Sequence, residues 1–195
     1  SLSTEIKSYP ANYNVAPSTN IPVIIGSNLV FAKWGLVPSW SKEEKTGYKM
    51  INTRVESLSK PYFKGLLNHK RCIILANGFF EWKTVGGKKQ PYYITIKRSS
   101  LIALAGLYDE WKEPNGNVLR SCSILTTEPN AFMKRIHNRM PVILQQEDVP
   151  AWLGEEQVSA EQLKRPPNST YQAKPVDPKM GSPTVNNSTC IKEVT

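Results

Sequence analysis

Residues 72–97 open with Cys72-Ile-Ile-Leu-Ala-Asn-Gly-Phe-Phe-Glu-Trp82 and close with Pro91-Tyr-Tyr-Ile-Thr-Ile-Lys97. β-Branched and aromatic residues dominate, broken only at Asn77-Gly78 and at the Gly86-Gly87 turn. The stretch therefore predicts three consecutive strands, over 72–76, 78–84 and 91–97. The second strand carries an acid, Glu81, between Phe80 and Trp82. Alternation would turn such an acid to solvent if its neighbours face a core. The opposite arrangement would desolvate it and raise its pKa.

Outward from this stretch, strands are predicted over 101–107 and 118–127, the latter after a Pro114-Asn-Gly116 turn. Upstream, Pro22–Ile25 and Leu29–Trp34 flank a Gly26-Ser-Asn28 hairpin. A helix is expected with Ser59 as its cap and Pro61 in its first turn, placing Tyr62, Phe63, Leu66 and Leu67 on one face. His69, Lys70 and Arg71 then suit its C-terminal dipole, a structural role for His69. Thr127 reads as the cap of a short helix ending near Ile136, which leaves His137 at a helix-to-loop boundary. Short helices are expected over 147–153 and, behind a Ser-x-x-Gln capping box, over 159–163. The segment 166–195, rich in Pro, Asn, Ser and Thr, is expected to wrap the surface. The class is α+β: one compact domain over 1–195, with a mixed or barrel-like sheet of many short strands and a few peripheral helices.

Composition narrows the function. Hydrophobic residues make up 39% of the 195, ordinary for a globular domain, and no apolar run approaches a membrane span. Ser1–Lys7 lacks the pattern of a signal peptide, so an intracellular protein is expected, in cytoplasm, nucleoid or nucleus. Without a secretion signal, the glycosylation-like Asn168-Ser-Thr and Asn187-Ser-Thr carry little meaning. Cys72, Cys122 and Cys190 show no metal-type spacing; the first two read as small buried hydrophobes in strands. Lys and Arg number 25 against 16 Asp and Glu, a net +9 that favours a polyanionic partner, nucleic acid first.

Four islands concentrate the chemistry: Trp34-Gly-Leu-Val-Pro-Ser-Trp40, Asn52-Thr-Arg-Val-Glu56, Gly78-Phe-Phe-Glu-Trp82 and His137-Asn-Arg-Met-Pro141. Each sets polar or ionisable groups among apolar neighbours, a costly arrangement unless those groups converge on a site. Arg54 and Arg139 in such settings suit a planar anion, phosphate or carboxylate. His137 is one of only two histidines, and histidine is the side chain suited to proton transfer near neutrality. Trp40 is expected to be core, and Glu56 and Tyr108 to support the fold.

With Asn12-Tyr-Asn-Val-Ala-Pro17 and Ala105-Gly-Leu-Tyr108, these islands resemble the SOS-response-associated peptidase family, in the family's order and over most of the chain. The resemblance implies a domain that binds single-stranded DNA, cross-links covalently to abasic sites and processes its own N-terminus, without metal or cofactor and as a monomer. It puts Asn52, Glu81 and His137 on the family's catalytic amide, acid and histidine, and Arg54 and Arg139 on its DNA-binding arginines. Trp34, Trp82 and the stretch from Asn14 to Pro17 would line the groove for bases. The family begins Met-Cys-Gly-Arg, whereas this chain reads Ser1-Leu2-Ser3, so its nucleophilic N-terminal cysteine is expected to be missing from these residues. Two other readings stand beside this one. One is a non-covalent single-strand-binding module that has lost the chemistry. The other is an orthodox peptidase, for which no Ser-His-Asp order, zinc motif or internal Cys-His pair speaks.

Overall fold

In the computed structural model, which describes residues 3–4, 6–154, 158 and 168–194, strand pairing closes a ring. The ring strands are β2 (Asn20–Ile25), β3 (Asn28–Trp34), β5 (Arg71–Ala76), β8 (Ile102–Lys112) and β9 (Val118–Thr127). They are hydrogen-bonded in the order β3, β2, β5, β8, β9. β3 then returns to β9 through the parallel pairs Lys33–Ser121 and Trp34–Cys122. The result is a five-stranded barrel, which leaves no open edge among these strands.

Shorter strands decorate it: β1 (Ser3–Thr4) beside β3, β4 (Asn52–Arg54) parallel to β9, β10 (Met140–Pro141) antiparallel to the end of β9, and β11 (Ile143–Leu144) on β8. A separate sheet is formed by β6 (Phe79–Val85), β7 (Lys88–Ile96) and β12 (Tyr171–Pro175), with β7 central. Both the 72–97 stretch and the Gly26 hairpin thus fold as the sequence predicts.

Alternation on the ring strands divides two cores. Cys72, Ile74, Leu104 and Cys122 belong to one, shared with Ile94 and Tyr171 of the second sheet. Ile73, Ala105, Leu107 and Leu125 belong to the other, covered by Leu66 and Leu67 of α1 (Pro61–His69) and Trp152 of α2 (Val149–Leu153). Gly106 is glycine because a Cβ there would lie 2.2 Å from Ile74 Cδ1 and 3.0 Å from Cys72 Sγ. All three cysteines are free and buried. Burial pushes the Cys122 thiol up to about 12 and that of Cys72 well above its usual range, as expected of inert core thiols.

Several expectations are corrected. Helix α1 is capped by Lys60, not Ser59, and no side chain caps it; Pro61 at its start has no N–H to satisfy. Thr127 ends β9, in the ladder opposite Met140, and does not stand at the start of a helix. Instead the Asn130 side chain accepts from the Met133 amide at 2.9 Å, and only a 3₁₀ turn, Met133–Arg135, follows. Within 168–194 the chain does more than wrap the surface. β12 pairs with β7, and Val176, Met180 and Cys190 pack with Tyr93, because the edge of β7 needs a partner. Asn168 and Asn187 are both engaged by backbone amides, from Phe132 and Thr189. The helix expected over 159–163 lies outside the described residues. Among those described, no helix is long and apolar enough to cross a membrane.

One buried carboxylate fastens the barrel to the loop after β3. Asp109, 1% exposed, accepts from Lys70 Nζ (2.6 Å), the Ser39 amide (2.8 Å), Tyr62 Oη (2.9 Å) and the Glu110 amide (2.9 Å). Burial by itself would raise its pKa; the donors outweigh that effect and hold the carboxyl below its usual range. Asp109→Ala strands these donors and leaves the Lys70 charge without its partner. It should lower unfolding free energy by about 3 kcal/mol, read as a reduced urea midpoint at unchanged slope. A loss under about 1 kcal/mol would show that the carboxylate does not fasten this loop.

Candidate functional site

The site is built where β9 ends. After Thr127 the chain loops out and returns as β10 against Thr126 and Thr127. Met133, fully buried, pins the loop; the His137 amide donates to the Met133 carbonyl at 2.9 Å, and Phe132 stacks on Tyr171 at 5.6 Å. These contacts fix His137 and Arg139 on the returning arm.

Strand β6 brings Glu81 to them. Its Oε2 lies 3.4 Å from His137 Nδ1, with the acid 21% and the imidazole 37% exposed. Glu81 shares its face of β6 with Phe79, which packs on the core, so alternation draws the acid inward. Burial raises its pKa, against the opposing pull of the nearby imidazole and the Trp82 amide. The Arg139 peptide completes the cradle. Its N–H donates to His137 Nδ1 at 3.2 Å, and its carbonyl lies 3.3 Å from the same nitrogen. Nδ1 can therefore accept from the amide, or donate to the carbonyl or Glu81. Either tautomer is satisfied without turning the ring, which lets Nε2 take or give a proton.

Both arginines act on one carboxylate, Arg139 by direct contact and Arg54 through its charge. Arg139 makes a two-pronged pair with Glu56 (Nη1–Oε1 2.7 Å, Nη2–Oε2 2.9 Å) and donates from Nη2 to the Thr126 carbonyl at 2.7 Å. Arg54 is exposed, and its charge joins that of Arg139 in acting on Glu56. Asn52, exposed two residues earlier on β4, shares Arg54's face, since Thr53 between them turns inward to bond Ser123 at 2.7 Å. Glu81, His137, Arg139 and Glu56 thus form one connected set, with Arg54 and Asn52 on its β4 margin.

Other sequence-picked residues take different positions. Trp82, on the opposite face of β6 from Glu81, is exposed. Trp34 is half-buried and donates from Nε1 to the Ile51 carbonyl at 2.9 Å, bracing the approach to Asn52. Asn14 Nδ2 donates to the carbonyls of Met180 (2.7 Å), Val185 (2.9 Å) and Ser182 (3.0 Å), so its amine clips down the C-terminal segment rather than facing the set. Pro17 is exposed beside Ser18, whose amide bonds the Trp34 carbonyl.

Trp40 overturns its expectation of burial: it is 70% exposed, its ring edge-on to Tyr62 at 5.9 Å. The Ser39 amide on Asp109 and the Ser41 carbonyl on Trp111 Nε1 (2.6 Å) hold the backbone on both sides and leave the indole outward. At the start of the loop Gly35, at φ 132°, lies so near Gly47 that a Cβ would meet its carbonyl at 2.7 Å. Tyr48 is exposed too, with Lys33 5.9 Å from its ring centre. Sequence reasoning missed this outward aromatic pair, because a tryptophan in an apolar motif reads as core. It also missed Glu56 as part of the set; the only signal available was its spacing of two from Arg54.

The described start of the chain is elsewhere. β1 runs parallel to β3 with Ser3 opposite Asn28, at the end of β3 remote from Trp34. By strand rise that is about 20 Å from Trp34.

Comparison with known proteins follows the same lines. Residues 2–183 match the model of the SOS response associated peptidase (SRAP) family. Abasic site processing protein YoqW of Bacillus subtilis is 51% identical over 162 residues, covering 80% of this chain and 72% of YoqW. Abasic site processing protein HMCES of Xenopus tropicalis is 35% identical over 181 residues, covering 74% of this chain and 54% of HMCES. A solved structure from Bacteroides thetaiotaomicron superposes with a TM-score of 0.83 at 29% identity, over 91% of this chain and 82% of that one.

The raised pKa of Glu81 has a signed consequence. Its neutral form is favoured in the fold, so its contribution is fully present below the ordinary carboxylate pKa of about 4.3 and is lost as pH rises through the raised value. Glu81→Gln, which cannot ionise, should therefore gain melting temperature relative to wild type between pH 4 and pH 7.5. A difference that stays constant across that range would mean the acid is not desolvated.

Proposed function

This chain belongs to the SOS response associated peptidase family, and from that membership we propose that it processes abasic sites in DNA. The finer reading is covalent capture of the damaged sugar on single-stranded DNA. The observation that carries it is the pairing of a desolvated acid with an imidazole, Glu81 with His137, next to Arg139.

An abasic deoxyribose opens to an aldehyde. An N-terminal cysteine offers an α-amine that is partly uncharged near neutrality. The amine adds to the carbonyl, loss of water gives the Schiff base, and the thiol adds across the C=N bond to close a thiazolidine. Each step moves protons and none needs a redox partner. His137 transfers a proton during ring opening and at the departing hydroxyl. Glu81 serves the amine and, in self-processing, the attack on the initiator peptide bond. Asn52 orients sugar or amine. Arg54 contacts phosphate, and the exposed rings of Trp40, Tyr48 and Trp82 offer stacking surfaces with little base preference. Cys72, Cys122 and Cys190 are buried, so none of them is the nucleophile.

Protein bearing such a processed cysteine, incubated with a single-stranded oligonucleotide containing an abasic site, should give an adduct that survives denaturation. His137→Ala should slow its formation by about 100-fold. If the cysteine-bearing protein binds the oligonucleotide yet gives no adduct, the covalent reading fails and non-covalent binding remains.

A further inference from the structure

The two-pronged contact on Arg139 has the geometry of a guanidinium–phosphate pair, and its present occupant is a carboxylate of this same chain. Both Nη atoms point at Glu56, at 2.7 and 2.9 Å. The arginine is the sheltered partner, 18% exposed, and the glutamate the loose one, 52% exposed. Arg139 is also held from behind by the Thr126 carbonyl, so its guanidinium keeps its place whether or not Glu56 is there. Glu56 sits in a three-residue 3₁₀ turn, Val55–Ser57, directly after β4. Buried Val55 anchors that turn while the Glu56 side chain lies on the surface. A rotamer change would swing the carboxylate off without moving the backbone. Arg54, two residues before Glu56, is exposed.

We propose that Glu56 is a resident anion: it fills the phosphate position on Arg139 in the free protein, and a nucleic-acid phosphodiester displaces it on binding. This rests on the nucleic-acid reading above and adds an exchange step to it. Carboxylate and phosphodiester both present two oxygens to the guanidinium plane, so one replaces the other with the same two hydrogen bonds. The exchange keeps Arg139 neutralised and in position between encounters. It also weakens capture of adventitious anions, because any incoming anion must first compete with Glu56.

The exchange leaves a signature in salt dependence. In the wild type the displaced Glu56 carboxylate stays beside the bound phosphate and offsets an arginine charge, so the position adds little to the salt dependence. In Glu56→Gln no carboxylate is released, and the full counterion term of about 0.7 per single-strand phosphate should appear. Non-covalent binding to a fluorescent single-stranded oligonucleotide without abasic sites, measured by anisotropy from 25 to 300 mM NaCl, reads both quantities. Glu56→Gln should bind roughly threefold tighter at low salt, the worth of a partly exposed ion pair. Its plot of log K against log salt should be steeper by about 0.7. Glu56→Asp, which keeps the charge, should retain the wild-type slope, and melting curves verify that both variants are folded. Weaker binding by folded Glu56→Gln would mean that Glu56 braces Arg139 for phosphate, and would overturn the proposal, as would an unchanged slope. Wild-type protein that fails to bind the oligonucleotide at low salt would overturn the nucleic-acid reading itself. Wild-type binding with an indifferent Glu56→Gln would overturn the exchange alone.

Discussion

Arg139 holds together parts of the chain that sequence keeps far apart. One guanidinium reaches Glu56 after β4 and the Thr126 carbonyl at the end of β9. Its own peptide N–H and C=O flank Nδ1 of His137. A single residue thereby ties the end of β9 to the returning loop, and through His137 it sets the distance to Glu81 on another sheet. Planarity is what makes this possible: five donors in a fixed fork satisfy several acceptors with little freedom left over. A lysine could match the charge but not the geometry.

The barrel gives that arginine something rigid to act against. Closure of β3 onto β9 fixes where β9 ends, and the lateral pairings of β4 and β10 are both referred to that end. The Asp109 network performs a similar service on another side, binding helix α1, strand β8 and the loop that carries Trp40 to one carboxylate. Donors meet both oxygens of the Asp109 carboxylate and acceptors meet both terminal nitrogens of Arg139, whose buried Nε is left without a partner among the described residues. Such pairing is the condition under which partial burial of charge is tolerated. The acid that departs from this pattern is Glu81, which burial drives toward its neutral form while its imidazole partner pulls the other way. Such an imbalance suits proton transfer better than it suits stability.

Legibility of the fold varied with the range of the interaction involved. The β2–β3 hairpin, the Gly86-Gly87 turn and strand β9 were readable because turn chemistry and β-branched runs are local signals. The stretch after Thr127 was misread for a reason that is not local: Thr127 is paired in a ladder with Met140, a partner that a short window around Thr127 does not contain. The strand at 171–175 was hidden in a Pro- and Asn-rich segment because its cause is the unpaired edge of β7, some 75 residues earlier by sequence number. Trp40 shows the same limit from the other direction. Its apolar neighbours Leu36 and Val37 are buried, yet the Ser39 and Ser41 anchors turn the indole outward.

By itself the sequence determined the α+β class, the family resemblance and the small set of polar side chains embedded in apolar motifs, since residue type and spacing carry that information directly. Only the tertiary structure decided which of those side chains meet. It joined Glu81 to His137 and Arg139 to Glu56, turned Trp82 to the other face of β6, and gave the amine of Asn14 to the C-terminal segment. The physical reason is that a hydrogen bond or ion pair depends on distances of a few ångströms between groups tens of residues apart. Those distances are fixed by barrel closure and strand register, which are properties of the whole chain rather than of any one motif.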